Sequence, residues 1–128
     1  MQVVIFDRQS IFIHGMKLSL QEYIPGIDIS AVSQVDDLWR HLLRHPDALL
    51  ILDGEMGPDF CRWVLQEKYQ QFPESKGILV ANEYSRAWLH EMMTFNVQAI
   101  IPRDANLEVF VQTTKSVMQG GICLPVEW

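Results

Sequence analysis

Two rhythms of apolar residues alternate along this chain. Short, nearly continuous runs at Val3–Phe6, Ile29–Val32, Ala48–Leu52, Gly77–Ala81 and Ala99–Ile101 read as strands. Continuous apolar runs of this length suit strands covered on both faces, as in a parallel sheet. Between them, apolar residues recur every third or fourth position, the period of a helix face. Phe12, Met16, Leu20 and Tyr23 mark a first helix that opens near Ser10, a good N-cap residue, and stops at Pro25-Gly26. Val35, Leu38, Trp39, Leu42 and Leu43 mark a second, closed by His45-Pro46. A third runs from about Asp59 to Phe72, with Cys61, Val64, Leu65 and Phe72 inward, and Pro73 ends it. Trp88, Leu89, Met92 and Met93 give a fourth. The fifth follows Asp104, carries Leu107, Phe110, Val111, Thr114 and Met118 on one side, and ends at Gly120-Gly121.

Strict alternation of five strand–helix units predicts a parallel sheet with helices on both faces and right-handed crossovers. A chain of 128 residues is one ordinary domain, and is too short for a six-stranded dinucleotide-binding sheet. A doubly wound, flavodoxin-like α/β fold, with five strands in the order 2-1-3-4-5, fits the count. Its crevice lies at the carboxyl edge, between strands one and three. Those two strands run into Asp7 and Asp53. A single aspartate there reads as a cap for the following turn. Two delivered to one rim read as a site.

Composition narrows the functional classes. Hydrophobic residues make up 48% and charged residues 20%, as in a soluble globular protein. The net charge of −6 argues against direct binding of nucleic acid or of an anionic membrane by this chain. No apolar run approaches the ~18 residues of a membrane span, and Met1-Gln2-Val3-Val4 lacks the basic start of a signal peptide. Cys61 and Cys123 show no metal-binding spacing, so a cytoplasmic setting with reduced thiols is expected. His14, His41, His45 and His90 are scattered, and Ser10 and Ser85 lack a nucleophile-elbow context. No Gly-rich phosphate cradle follows strand one, which leaves a nucleotide- or flavin-binding module of the same fold poorly supported.

Four stretches, at matching spacing, resemble the receiver (CheY-like) domains of two-component response regulators, in the FixJ/NarL class with a LuxR-type helix-turn-helix. They are Phe6-Asp7-Arg8-Gln9-Ser10 through Gly15-Met16, Leu52-Asp53-Gly54-Glu55-Met56-Gly57, Ile100-Ile101-Pro102-Arg103-Asp104-Ala105, and Gly120-Gly121-Ile122-Cys123-Leu124-Pro125. The resemblance covers the whole chain. It implies a receiver-like domain over residues 1–121 and, in 122–128, a tail or the start of a linker to a DNA-binding domain. By it, Asp53 matches the phosphoacceptor, Asp7 the first acid of the acidic pair, and Glu55 the position that offers a backbone carbonyl to Mg²⁺.

Several positions depart from the family pattern. Arg8 replaces the second acid, Ala81 the Thr or Ser after strand four, and Arg103 the Lys after strand five. Ile100 replaces the aromatic that reports activation, and Gly57 the Pro of the phosphoacceptor loop. Two aspartates balanced by two arginines leave the rim near neutral. Mg²⁺ needs hard oxygen ligands, whereas Arg8 offers only donors and a fixed positive charge. Arg8 is expected to pair with Asp53 or Asp7; the alternative is that it faces solvent.

The expected function is therefore an atypical receiver that controls transcription through an attached helix-turn-helix, with weak or no phosphorylation. It is not an enzyme with turnover, and no metal or other cofactor is expected. The alternative is a conventional receiver phosphorylated on Asp53 by a sensor histidine kinase, with Mg²⁺ held by Asp7, Asp53 and Glu55. The resemblance implies a homodimer as a candidate assembly, since receivers of that class pair through helices one and five or through the face of helix four, strand five and helix five. Trp88, Met92 and Phe95 slightly favour the second face.

Overall fold

The computed structural model describes residues 2–7, 10–81 and 85–122, and of residues 10–13 the backbone alone. The expected pairing of Arg8 and the tail from Cys123 onward lie outside these described residues. In chain order the elements are β1 (Gln2–Phe6), α1 (Ser10–Tyr23), β2 (Asp28–Val32), α2 (Val35–Arg44), β3 (Leu49–Asp53), a 3-10 turn (Gly54–Met56), α3 (Pro58–Gln71), β4 (Gly77–Val80), α4 (Arg86–Met93), β5 (Val97–Ile101) and α5 (Leu107–Met118). The strands form one parallel sheet in the order β2-β1-β3-β4-β5. Both the alternation and the strand order expected from the sequence are present.

Successive residues of a strand face opposite sides of the sheet, and this period of two sorts the core. Val3, Ile5, Leu49, Ile51, Ile78 and Val80 face α1 and α5, where Met16, Leu20, Phe110 and Val111 meet them. Val4, Phe6, Leu50, Leu52 and Leu79 face α2, α3 and α4, where Leu38, Leu42, Val64, Leu65 and Met92 meet them. All five residues of β3 are buried, which explains why this strand reads as a continuous apolar run ending in a carboxylate. On the second face an aromatic chain runs across α2 and α3. Trp39 meets Trp63 edge-on with centroids 6.1 Å apart and stacks on Phe72 at 6.4 Å, and Phe60 links Trp63 to Phe6.

Among the described residues, three helix positions differ from the sequence expectation. Tyr23, Leu43 and Leu107 are exposed, not inward. Tyr23 is the last residue of α1 and Leu107 the first of α5, where the helix ends leave the sheet. Leu43 follows buried Leu42 and turns about 100° away from it around the helix. Helix starts are set by local caps: Ser85 Oγ accepts from Trp88 N–H at 3.1 Å, and Asn106 Oδ1 accepts from Val109 N–H at 2.9 Å. The α5 cap is thus Asn106, two residues beyond Asp104.

A buried polar cluster closes the amino edge of the sheet. Lys68 lies on the inward stripe of α3 and donates from Nζ to the Ser75 carbonyl. Ser75 Oγ donates to the Ala48 carbonyl at 2.6 Å, and Asn96 Nδ2 donates to the Pro73 and Ser75 carbonyls at 3.0 and 3.2 Å. Asn96 adopts φ 62°, a left-handed conformation that asparagine tolerates better than most residues. Burial pulls the Lys68 ammonium down to about 7.

Candidate functional site

The register of β1 and β3 builds the site. Phe6 pairs with Leu52, so Asp7 and Asp53 leave neighbouring strands at the same carboxyl edge. Asp7 is fully buried and its N–H donates to the Val32 carbonyl at 3.3 Å. Asp53 is 3% exposed. Its carboxylate does two things at once. Oδ1 accepts from Glu55 N–H at 3.0 Å, which caps the 3-10 turn as the simpler sequence reading foresaw. The same oxygen accepts from Arg103 Nη1. Gly57 then takes φ 107°, a backbone conformation suited to glycine, and Pro58 starts α3 at its first position.

Arg103 reaches the site from the loop after β5. Because β4 lies between β3 and β5, the side chain crosses the end of β4 to reach Asp53. Ala81 stands at that end, and its N–H donates to the Ile101 carbonyl at 3.0 Å. Its methyl group takes little room and offers no hydroxyl. Arg103 Nε also lies 4.0 Å from Glu55 Oε1, an exposed and weaker partner. The Arg103 side chain is 15% exposed and that of Asp53 3%, so their contact is largely shielded from water. Behind Asp53, the Cys61 thiol donates weakly to the carbonyls of Asp53 and Gly54, at 3.6 and 3.8 Å. Burial first, and then the nearby Asp53 charge, push that thiol up to about 12, so Cys61 is an inert core residue.

The sequence-derived residues sort as follows. Asp7, Asp53, Glu55 and Arg103 gather at the rim, with Ala81 beside them. Ile100 is buried on the α2–α4 face, paired with Leu79. Trp88 and Met92, expected on a docking face, are instead buried against the sheet, at 8% and 0% exposure, and Phe95 is partly buried beside them. The correction has a simple cause: α4 has eight residues, and its apolar stripe is consumed in packing on β5 and α3. The sequence expectation paired Arg8 with Asp53 or Asp7, which lies outside the described residues; it did not assign Arg103 to Asp53, the contact present here. The available signal was the length and fork of an arginine placed where the family has a lysine.

The family resemblance implies Mg²⁺ at this rim, and the residues present do not fit it. Among the described residues no three His, Cys, Asp or Glu side chains converge as metal ligands. A cation already engages Asp53, and an incoming divalent ion would meet its like charge.

The five-stranded 2-1-3-4-5 sheet, with paired aspartates at its carboxyl edge and a basic residue after β5, gives this chain the receiver-domain fold of response regulators. Solved structures agree with the fold. The receiver domain of RcsB from Salmonella enterica serovar Typhimurium superposes with a TM-score of 0.80 at 20% identity, covering 98% of this chain and 93% of that one. A LuxR-family DNA-binding response regulator from Silicibacter pomeroyi gives a TM-score of 0.80 at 20% identity, covering 97% and 95%. By sequence, the chain is 49% identical over its full 128 residues to YhjB of Escherichia coli (strain K12), provisionally named an HTH-type transcriptional regulator. The chain spans 64% of the length of that relative. No protein-family model matches the chain. No helix among the described residues is long and apolar enough to cross a membrane.

Proposed function

We propose that this chain is an atypical receiver module that regulates an attached helix-turn-helix DNA-binding domain largely without phosphorylation. The observation that carries the reading is the Arg103–Asp53 pair, which engages the phosphoacceptor-equivalent carboxylate from within the chain. Phosphoryl transfer to an aspartate needs a Mg²⁺ ion beside the carboxylate, where a paired guanidinium already places positive charge. Here one oxygen carries both a backbone N–H and a guanidinium. Ala81 has no hydroxyl for a phosphoryl oxygen, and buried Ile100 has no polar group to relay a change. The module works as a binding and assembly element in the cytoplasm, without catalytic turnover or a resident cofactor. In this reading an attached effector domain supplies the DNA contacts that a chain of net charge −6 does not.

Titrating Mg²⁺ and then beryllofluoride while following backbone amides near Asp53 tests this. The expected result is no saturable millimolar Mg²⁺ binding and no beryllofluoride shifts. Shifts spreading from Asp53 to Arg103 and α4 would establish the conventional receiver instead. Arg8→Asp changes the local charge by two units and should raise Mg²⁺ affinity without restoring a switch. Unchanged metal binding in that variant would remove Arg8 from the electrostatic account.

A further inference from the structure

We propose that the cavity between α1 and the β5–α5 connection binds a small amphipathic carboxylate, whose acid group takes Arg103 in exchange for Asp53. The cavity measures about 220 Å³ and is walled by Met16, Val80, Ile101, Pro102 and Phe110. For scale, a dry cavity of about 150 Å³ accepts benzene, so the space suits a short acyl chain or one ring. Gly15 forms part of the α1 wall, and nothing lies within 4 Å of where a Cβ would stand on it. The wall is therefore recessed at this residue.

Position connects the cavity to the rim. Val80 and Ile101 belong to the sheet face covered by α1 and α5, and Val80 pairs in register with Asp53. Arg103 lines the cavity and also donates to Asp53. One residue therefore lines an apolar chamber and also engages a buried carboxylate. An apolar chamber with one arginine among its lining residues suits an acid with an apolar body. A ligand acid competes with Asp53 for the same donors, and by linkage whatever releases Asp53 also alters ligand affinity. Ligand occupancy would in this way replace phosphorylation as the event that changes the rim. The inference rests on the Arg103–Asp53 closure described under the proposed function.

The test titrates octanoate into the chain, with octanol as the uncharged control, and follows backbone amide shifts. Octanoate should give saturable shifts at Val80, Ile101, Arg103 and Phe110, with octanol at least about tenfold weaker, the difference one charge-assisted hydrogen bond supplies. Asp53→Asn should tighten octanoate binding by about tenfold, because it removes the competing charge while its side-chain carbonyl can still cap Glu55 N–H. Arg103→Gln should weaken it by about tenfold. Gly15→Leu should abolish it by filling the cavity, and leucine is the better helix former. Octanoate silence in both the wild type and Asp53→Asn overturns the proposal. So does binding that Gly15→Leu leaves intact, or equal affinity for octanol. An Asp53→Asn affinity no higher than wild type overturns the exchange. A beryllofluoride response in the wild type would overturn the closure itself; silence towards both probes overturns the ligand site alone.

Discussion

Arg103 and Asp53, 50 residues apart in sequence, share a hydrogen-bonded ion pair across the carboxyl end of β4. The contact is shielded because Asp53 sits at the end of a fully buried strand. Removing one partner leaves the other charge where water reaches it poorly, so each single change should destabilise more than the pair is worth.

Arg103→Ala should lower stability by about 2–4 kcal/mol in urea unfolding, within the range for breaking a largely buried pair. Adding Asp53→Asn to it should recover much of that loss. A double-mutant cycle should give a coupling energy above about 1 kcal/mol. Additive single effects would mark the pair as a solvated contact of no consequence.

Lys68 offers the clearest pH dependence. Its folded value is about 7 against an ordinary 10.5. Between those values the unfolded chain binds a proton that the folded chain refuses. Stability contributed at this site therefore rises with pH across that window and is lost as pH falls through 7. Lys68→Met should be more stable than wild type by about 1–4 kcal/mol at pH 7, since an apolar replacement removes a buried charge. The advantage should shrink towards pH 10. The Ser75 carbonyl keeps its Asn96 donor at 3.2 Å, so it is not left bare. Urea titrations at three pH values would show the narrowing gap, and a pH-independent difference would contradict the account.

The α4 residues should behave as core. Met92→Ala should cost about 2–5 kcal/mol, the range for truncating a buried methionine, and leave the oligomeric state unchanged. Sedimentation together with unfolding separates the outcomes. A loss of self-association at unaltered stability would return Met92 to an interface.

The aromatic chain across α2 and α3 should be unequal along its length. Trp39 contacts both Trp63 and Phe72, whereas Trp63 is more exposed. Trp39→Ala should therefore cost about 2–3 kcal/mol and Trp63→Ala about 1 kcal/mol. Near-ultraviolet circular dichroism should lose a shared band in either variant.

Much of the architecture was legible in the order of residues because it depends on local periodicity. A strand covered on both faces must be apolar throughout, so Ala48–Leu52 announces a parallel sheet. Five strand–helix units leave few arrangements, and the observed order places Asp7 and Asp53 side by side. The candidate rim is thus legible in the sequence alone. The charge that closes it is not. Arg103 comes to Asp53 only through the stacking of β3, β4 and β5, which local periodicity does not show. Tertiary packing also decided burial where amphipathic patterns mislead. Leu43 and Tyr23 match a helical stripe yet lie at its margins, while Lys68 fits the stripe despite its charge because Ser75 supplies an acceptor. Periodicity sets which elements form; which side chains meet depends on contacts between segments far apart, and those are set by the closure of the whole sheet.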